Sequence, residues 1–304
     1  MKMINLRHIT LSDRTIRKIL LAFAFLLALS FTSSGAEFQK YTMKHRGLTR
    51  EYWLYVPDTL SVERPLVIML HGYGGKAEGY RPEMAEVARK NGFVLCVPQG
   101  WKAPKGKPGW NVRYPAQEGM TTDDVDFVCA LKKRVVKDWS LDARNCFLCG
   151  MSNGGDMCYL TVLQRPEAFA AYGSVAGLTM EWCYREYSMT KAVPFLEVHG
   201  TADRTSRWEG DPDNEGGWGE YISVPIAVSN VVNVDKCTHC EDIELPLVRN
   251  RVILHRYLGG VPAWKEGPAV EVRLYEVQGG KHSWALADFD TCAALWDFFK
   301  LYLR

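Results

Sequence analysis

The sequence predicts an α/β protein with a mainly parallel sheet covered by helices on both faces. Three observations predict it. Short apolar runs without alternation recur at residues 65–70, 93–97, 146–149 and 195–198, the pattern of strands buried on both sides. Segments with helical spacing fall between them. No internal repeat, low-complexity tract or linker interrupts this rhythm, so one domain is expected over residues 37–304.

The elements follow in order. Residues 51–56 alternate like an exposed strand. Residues 65–70 form a buried strand running into His71-Gly72-Tyr73-Gly74-Gly75. Residues 82–90 read as helix and 93–97 as a second buried strand, followed by a Gly/Pro/Trp-rich loop over 99–120. Residues 123–139 place Val125, Val128, Leu131, Val135 and Trp139 on one helical face. A strand over 146–149 leads into Gly150, and a helix over 153–164 stops before Pro166. Strands are expected at 169–175 and 195–198, a polar loop at 205–219 and a helix at 225–234. Two alternating strands follow at 251–257 and 270–277. Leu295, Phe298, Phe299 and Tyr302 mark a closing helix. In such sheets chemistry gathers at the carboxyl ends of strands, here near His71, Gly150 and Gly200.

Residues 1–36 read as an export signal. Arg14, Arg17 and Lys18 precede an apolar run at 19–29, and Ser34-Gly35-Ala36 matches a small-x-small cleavage site. The run is about half the length of a bilayer-spanning helix, so no stable membrane insertion and a secreted or periplasmic location are expected. Of the 37 basic and 35 acidic residues, five basic and one acidic precede residue 37. The remainder is near neutral, which argues against a nucleic-acid partner. All nine cysteines lie after residue 37. Cys96, Cys146 and Cys149 sit in strand-like runs, where buried free thiols are expected. Cys237-x-x-Cys240 has no second pair at similar spacing, so a disulfide, local or from Cys237 to a distant cysteine such as Cys292, is expected rather than a metal site.

The chemistry is carried by four segments. Gly150-x-Ser152-x-Gly154, between an apolar strand and a helix, fits a nucleophile elbow, and hence the α/β-hydrolase fold. The serine must occupy a strained turn that lifts its hydroxyl above the sheet, and the glycines remove side chains that would collide there. The backbone N–H of Asn153, next after the serine, is a natural oxyanion donor. The glycine-rich loop after the strand at 65–70 is expected to supply the other, at Tyr73. His71 precedes the nucleophile, out of the order Ser, acid, His, and is expected to order its loop. Asp203, just past the strand at 195–198, is the expected acid, with Asp211 and Asp213 as alternatives. His282, on a glycine loop after the last strand, is the expected base.

Together these residues resemble the secreted esterases grouped as feruloyl esterases, acetyl xylan esterases and polyhydroxybutyrate-depolymerase-like proteins. The resemblance covers most of the chain after residue 36. It rests on the HGYGG loop, Val97-Pro98-Gln99-Gly100, Trp110-Asn111, the acidic segment 123–127, GMSNGG, Phe169-Ala170-Ala171, HGTAD and GGKHSW. It implies a Ser-His-Asp mechanism at Ser152, His282 and Asp203, without metal or cofactor. Two departures touch the expected substrate rim. The stretch 231–237 lacks the tryptophan that members often carry before a cysteine, and the loop 205–219 is more acidic and Trp-rich.

Trp110, Trp208 and Trp284 are expected to contact substrate, since loop tryptophans can stack on a sugar or phenolic ring. The expected activity is release of feruloyl or acetyl groups from plant cell-wall polysaccharide esters. The alternatives are hydrolysis of polyhydroxyalkanoates, peptide hydrolysis, and glycan binding without catalysis.

Overall fold

Ten strands form one sheet in a computed structural model that describes residues 37–304. The expected export signal lies outside the described residues. Residues Phe38–Arg304 form one compact unit.

The six central strands are parallel: β4 (Val94–Pro98), β3 (Leu66–Leu70), β7 (Cys146–Met151), β8 (Ala171–Val175), β10 (Phe195–Gly200) and β14 (Val272–Val277). Every residue of β3, β4, β8 and β10 is buried, which is why those stretches read as unbroken apolar runs. Antiparallel strands close both sides, β1 (Gln39–His45) and β2 (Leu48–Tyr55) on one, β13 (Val252–Leu258) and β12 (His239–Glu244) on the other, giving the order β1-β2-β4-β3-β7-β8-β10-β14-β13-β12. Short strands β5 (Trp101–Lys102) with β6 (Pro108–Gly109), and β9 (Thr179–Met180) with β11 (Tyr221–Ile222), pair separately.

The helices are α1 (Pro82–Asn91), α2 (Asp124–Asp138), α3 (Asn153–Gln164), α4 (Glu181–Glu186), α5 (Val224–Asp235) and α6 (Thr291–Phe299). Neighbouring residues of β8 show that α3 and α6 cover opposite faces. A Cβ at Gly173 would touch Leu295 and Phe299 of α6, whereas Ser174 faces Gly155 of α3. On the α6 face Phe147 stacks on Phe299 and Phe93 on Trp296.

Three expectations change. Residues 52–55 are all buried in β2, because β2 pairs with β4 inside the sheet rather than at its margin. The edge strands β1 and β12 were not foreseen. Every residue of β12 is exposed, and its charged sequence carries no apolar alternation, as suits an edge that must not recruit another strand. The expected disulfide is absent: all nine cysteines are free thiols. Cys240 is exposed on β12, Cys237 is half-buried after α5, and Cys292 is buried at the start of α6.

Strand order positions the site. From β3 the chain moves to β4 on one side and later to β7 on the other, so a crevice opens where β3 and β7 end side by side.

Candidate active site

Ser152 stands at that crevice between β7 and α3, with φ 55° and ψ −126°. A non-glycine residue in this conformation is strained and persists only where its surroundings enforce it. They do so here. Ser152 N–H donates to the Val175 carbonyl (2.8 Å), and its carbonyl accepts from Asp156 N–H (2.9 Å). A Cβ at Gly150 would lie 2.5 Å from the Gly154 carbonyl carbon and oxygen, and one at Gly154 would lie 2.9 Å from the His71 carbonyl oxygen. Strand, helix and loop meet backbone to backbone, and only glycine fits between them.

The loop after β3 lies against the serine: a Cβ at Gly72 would sit 3.3 Å from Ser152 Cβ and 3.8 Å from its Oγ. The Tyr73 and Asn153 backbone N–H groups have no protein acceptor among the described residues, while Gly74 and Gly75 N–H donate to Pro108 and Gly72. His71 organises this loop. Its Nδ1 donates to the Gly72 carbonyl (2.7 Å), and its Nε2 accepts from Gly100 N–H (3.0 Å) and the Gln99 amide (2.9 Å). Burial pushes its pKa down, which keeps the ring neutral as this pattern requires. Gln99 also accepts from Ala77 N–H. Sequence reasoning gave it no role, though it stands directly after the buried strand β4.

Asp203 and His282 meet. His282 Nδ1 donates to Asp203 Oδ2 at 2.7 Å, while Asp203 Oδ1 accepts from Thr205 and Ser206 N–H at 2.8 and 2.9 Å. The carboxylate is fully buried, and the imidazole is 23% exposed, so its other nitrogen remains reachable. Ala202 N–H donates to the Gly280 carbonyl, and Gly279 N–H to Thr201 Oγ1, which ties the acid turn to the histidine loop. Among the described residues no hydrogen bond joins Ser152 Oγ to His282, a contact that commonly tightens only with substrate present. The alternative acids are placed elsewhere. Asp211 is buried and caps its own loop at Glu215 and Gly216 N–H, and Asp213 is exposed.

Behind Asp203, His199 Nδ1 donates to buried Glu197 (3.0 Å) and Nε2 to the Ser206 carbonyl (2.8 Å). Burial acts to lower its pKa, but the Glu197 hydrogen bond and charge outweigh it and raise it, and the ring stands 3.8 Å from Asp203 Oδ2.

The three tryptophans separate. Trp110 is not a surface for substrate. It is fully buried, its Nε1–H donates to the His71 carbonyl (2.8 Å), and its backbone is clamped by Asn153 Oδ1 and Nδ2 (2.7 and 3.0 Å). Trp208 is half-buried with its ring beside His199, under the acid turn. Trp284 lines a cleft of about 660 Å³ together with Met151 and His282. Trp218, another loop tryptophan able to stack on a ring, packs half-buried against Tyr73 and Tyr114 next to the glycine loop after β3.

Comparison with known proteins agrees with this geometry. Residues 50–193 match the family described as esterase PHB depolymerase. That stretch holds the glycine loop and the elbow, whereas Asp203 and His282 lie beyond it. A probable feruloyl esterase C of Aspergillus oryzae is 27% identical over 55% of this chain and 59% of its own length. A bifunctional acetylxylan esterase/xylanase of Neocallimastix patriciarum is 25% identical over 53% of this chain and 22% of its own length. The chain thus spans less than two thirds of the curated relatives it matches. Among solved structures, an acetyl xylan esterase from Aspergillus awamori superposes with a TM-score of 0.58 at 14% identity, covering 86% of this chain and 99% of that one. An S-formylglutathione hydrolase from Agrobacterium tumefaciens gives 0.54 at 15%, covering 90% and 98%. Nucleophile elbow, strand order and these likenesses converge on one statement: the protein has the α/β-hydrolase fold and is related to the feruloyl and acetyl xylan esterases, with residues 50–193 matching the PHB-depolymerase esterase family.

Proposed function

We propose that the protein is a serine carboxylester hydrolase in which Ser152, His282 and Asp203 act as nucleophile, base and acid. The observation that carries the reading is the 2.7 Å bond from His282 to buried Asp203, with Ser152 held at positive φ two strands away in the same sheet. Asp203 fixes the tautomer with the proton on Nδ1, so Nε2 is the basic nitrogen. Ser152 Oγ attacks the ester carbonyl as Nε2 takes its proton. The Tyr73 and Asn153 N–H groups receive the oxyanion, each contributing about 3–4 kcal/mol in comparable sites. His282 then protonates the leaving alcohol, and water, activated by the same nitrogen, releases the acyl group from the serine.

Feruloyl or acetyl esters of plant cell-wall polysaccharides are the proposed substrates. The relatives that are an acetylxylan esterase/xylanase and a probable feruloyl esterase support this choice, and half-buried Trp218 beside Tyr73 offers a ring for a sugar or phenolic group. Export through residues 1–36, leaving one catalytic domain over 37–304, belongs to the same proposal, since such substrates lie outside the cell. Among the described residues no helix is long and apolar enough to cross a membrane. The test is hydrolysis of methyl ferulate, acetylated xylan and a hydroxybutyrate oligomer by the native protein and Ser152→Ala. Native turnover on the first two, at least about 10³-fold above the variant, is expected. Equal rates for both proteins would end the esterase reading, and preference for the oligomer would move it to the polyesters.

A further inference from the structure

We propose that the cleft beside His282 selects esters that carry a carboxylate. The inference names the substrate class of the site above and rests on the esterase reading. Three cations line the cleft, Arg81, Arg249 and Lys281, and no carboxylate does. Arg249 is already engaged by buried Asp288 at 3.0 Å. Lys281, next to the imidazole, is exposed and forms no ion pair among the described residues. Arg81 carries the argument.

Arg81 is the N-cap of α1, with φ 54°. That is unfavourable in three independent ways. A bulky side chain is strained in the left-handed region. A cation at a helix N-terminus opposes the positive end of the helix dipole, where Ser, Asp or Asn would cap. Finally, its Nε is buried without an acceptor, and its nearest carboxylate, Glu83, is 3.9 Å away. The buried Nε–H thus lacks a hydrogen bond, while the rest of the guanidinium is partly exposed and only loosely paired. What the position achieves is orientation: the guanidinium lies 5.4 Å from the centre of the Trp284 ring and 5.7 Å from that of Tyr80. Trp284 in turn donates from Nε1 to the Tyr80 hydroxyl. The planar donor fork is thus held at the rim of a cleft that also contains the base, where it can take a carboxylate in bidentate fashion. A strained cation at a helix N-terminus, held by two aromatic rings at the rim of a binding cleft, points to an anionic ligand that meets the exposed end of the guanidinium. Lys281 adds a second charge for the same group. The chemistry fits an acidic sugar on the alcohol side of the ester or a dicarboxylic acyl group on the other.

Two ester pairs separate these sources. Monomethyl and dimethyl adipate differ by a carboxylate on the acyl side, acetoxyacetate and its methyl ester by one on the alcohol side. Binding is read by ligand-detected NMR titration of the full-length Ser152→Ala protein, so turnover is not required. The acid member of one pair is expected to bind at least about fivefold more tightly at roughly 20 mM salt, where screening is weak. That advantage should fall below about twofold when Arg81→Gln and Lys281→Gln are added, in protein whose thermal unfolding shows it folded. Equal affinity within both pairs, no detectable binding of either acid, or an advantage that survives both substitutions overturns the proposal. Turnover of the neutral esters by the native protein tests the esterase reading separately.

Discussion

Replacing Gly150 by alanine puts the elbow's steric logic to a quantitative test. Gly150 lies in β7, between Leu70 of β3 and Ser174 of β8. A Cβ there would stand 2.5 Å from the carbonyl carbon and oxygen of Gly154 and 2.9 Å from its Cα, where ordinary contact begins at 3.4 Å. The start of α3 must therefore withdraw by about 0.9 Å, and since every colliding atom is backbone, no rotamer change relieves it. Elsewhere Gly→Ala at a compatible backbone would stabilise by about 0.4–1 kcal/mol through the unfolded chain. Overpacking against a fixed backbone costs about 3 kcal/mol at the upper end of its range, so the net expectation is a loss of about 2 kcal/mol. For a domain of this size that lowers Tm by about 4–8 °C. The same displacement moves Ser152 and the Asn153 N–H relative to Tyr73, and a misplacement near 1 Å costs about 10²-fold in rate. Thermal unfolding and kcat/KM on a neutral aryl acetate measure both. An unchanged or raised Tm with kcat/KM within about threefold of native would refute the claim that helix and strand meet at van der Waals contact.

Asp203→Asn keeps an acceptor for the Thr205 and Ser206 N–H groups but no longer fixes the His282 tautomer, so kcat should fall about 10⁴-fold; a fall below tenfold removes Asp203 from the role. Burial pushes the Asp235 carboxyl up to about 8, against a single hydrogen bond from Val193 N–H. Because the folded pKa is raised, its stabilising contribution is complete below the unfolded value near 4 and is lost as pH rises through about 8. Asp235→Asn should therefore be more stable than native at pH 9, by an amount on the order of 2 kcal/mol, and not at pH 5, as read by chemical denaturation at both. Arg50 and Asp124 form a fully buried ion pair at 2.8 Å. Arg50→Ala leaves a buried uncompensated charge and should cost about 3–5 kcal/mol, whereas adding Asp124→Ala should recover part of the loss.

The elements that sequence made legible are those specified within a few residues. The elbow is one: strand, Gly150-x-Ser152-x-Gly154 and helix must be contiguous for the turn to exist, so the chemistry is written in one stretch, and α3 begins at Asn153 as its pattern predicts. The Asp203 turn and the His282 loop are legible for the same reason, each a short segment directly after a buried strand. What was not legible depends on contacts far apart in sequence. Trp110 read as a loop aromatic because nothing near it says that Asn153, 43 residues on, will grip its backbone, or that the His71 carbonyl will accept its indole N–H. Arg81 drew no reading from the sequence, since neither its positive φ nor the Trp284 ring beside it, some 200 positions away, leaves a local trace. Both depend on contacts between distant segments. Asn153, the proposed oxyanion donor, secures with its side chain the loop that carries Trp110, and Trp110 in turn holds the His71 carbonyl at the base of the glycine loop. Both proposed oxyanion donors are therefore braced by a single buried tryptophan. Loss of that indole should slacken the donors together, and a substrate-stacking role for Trp110 would predict no such coupling.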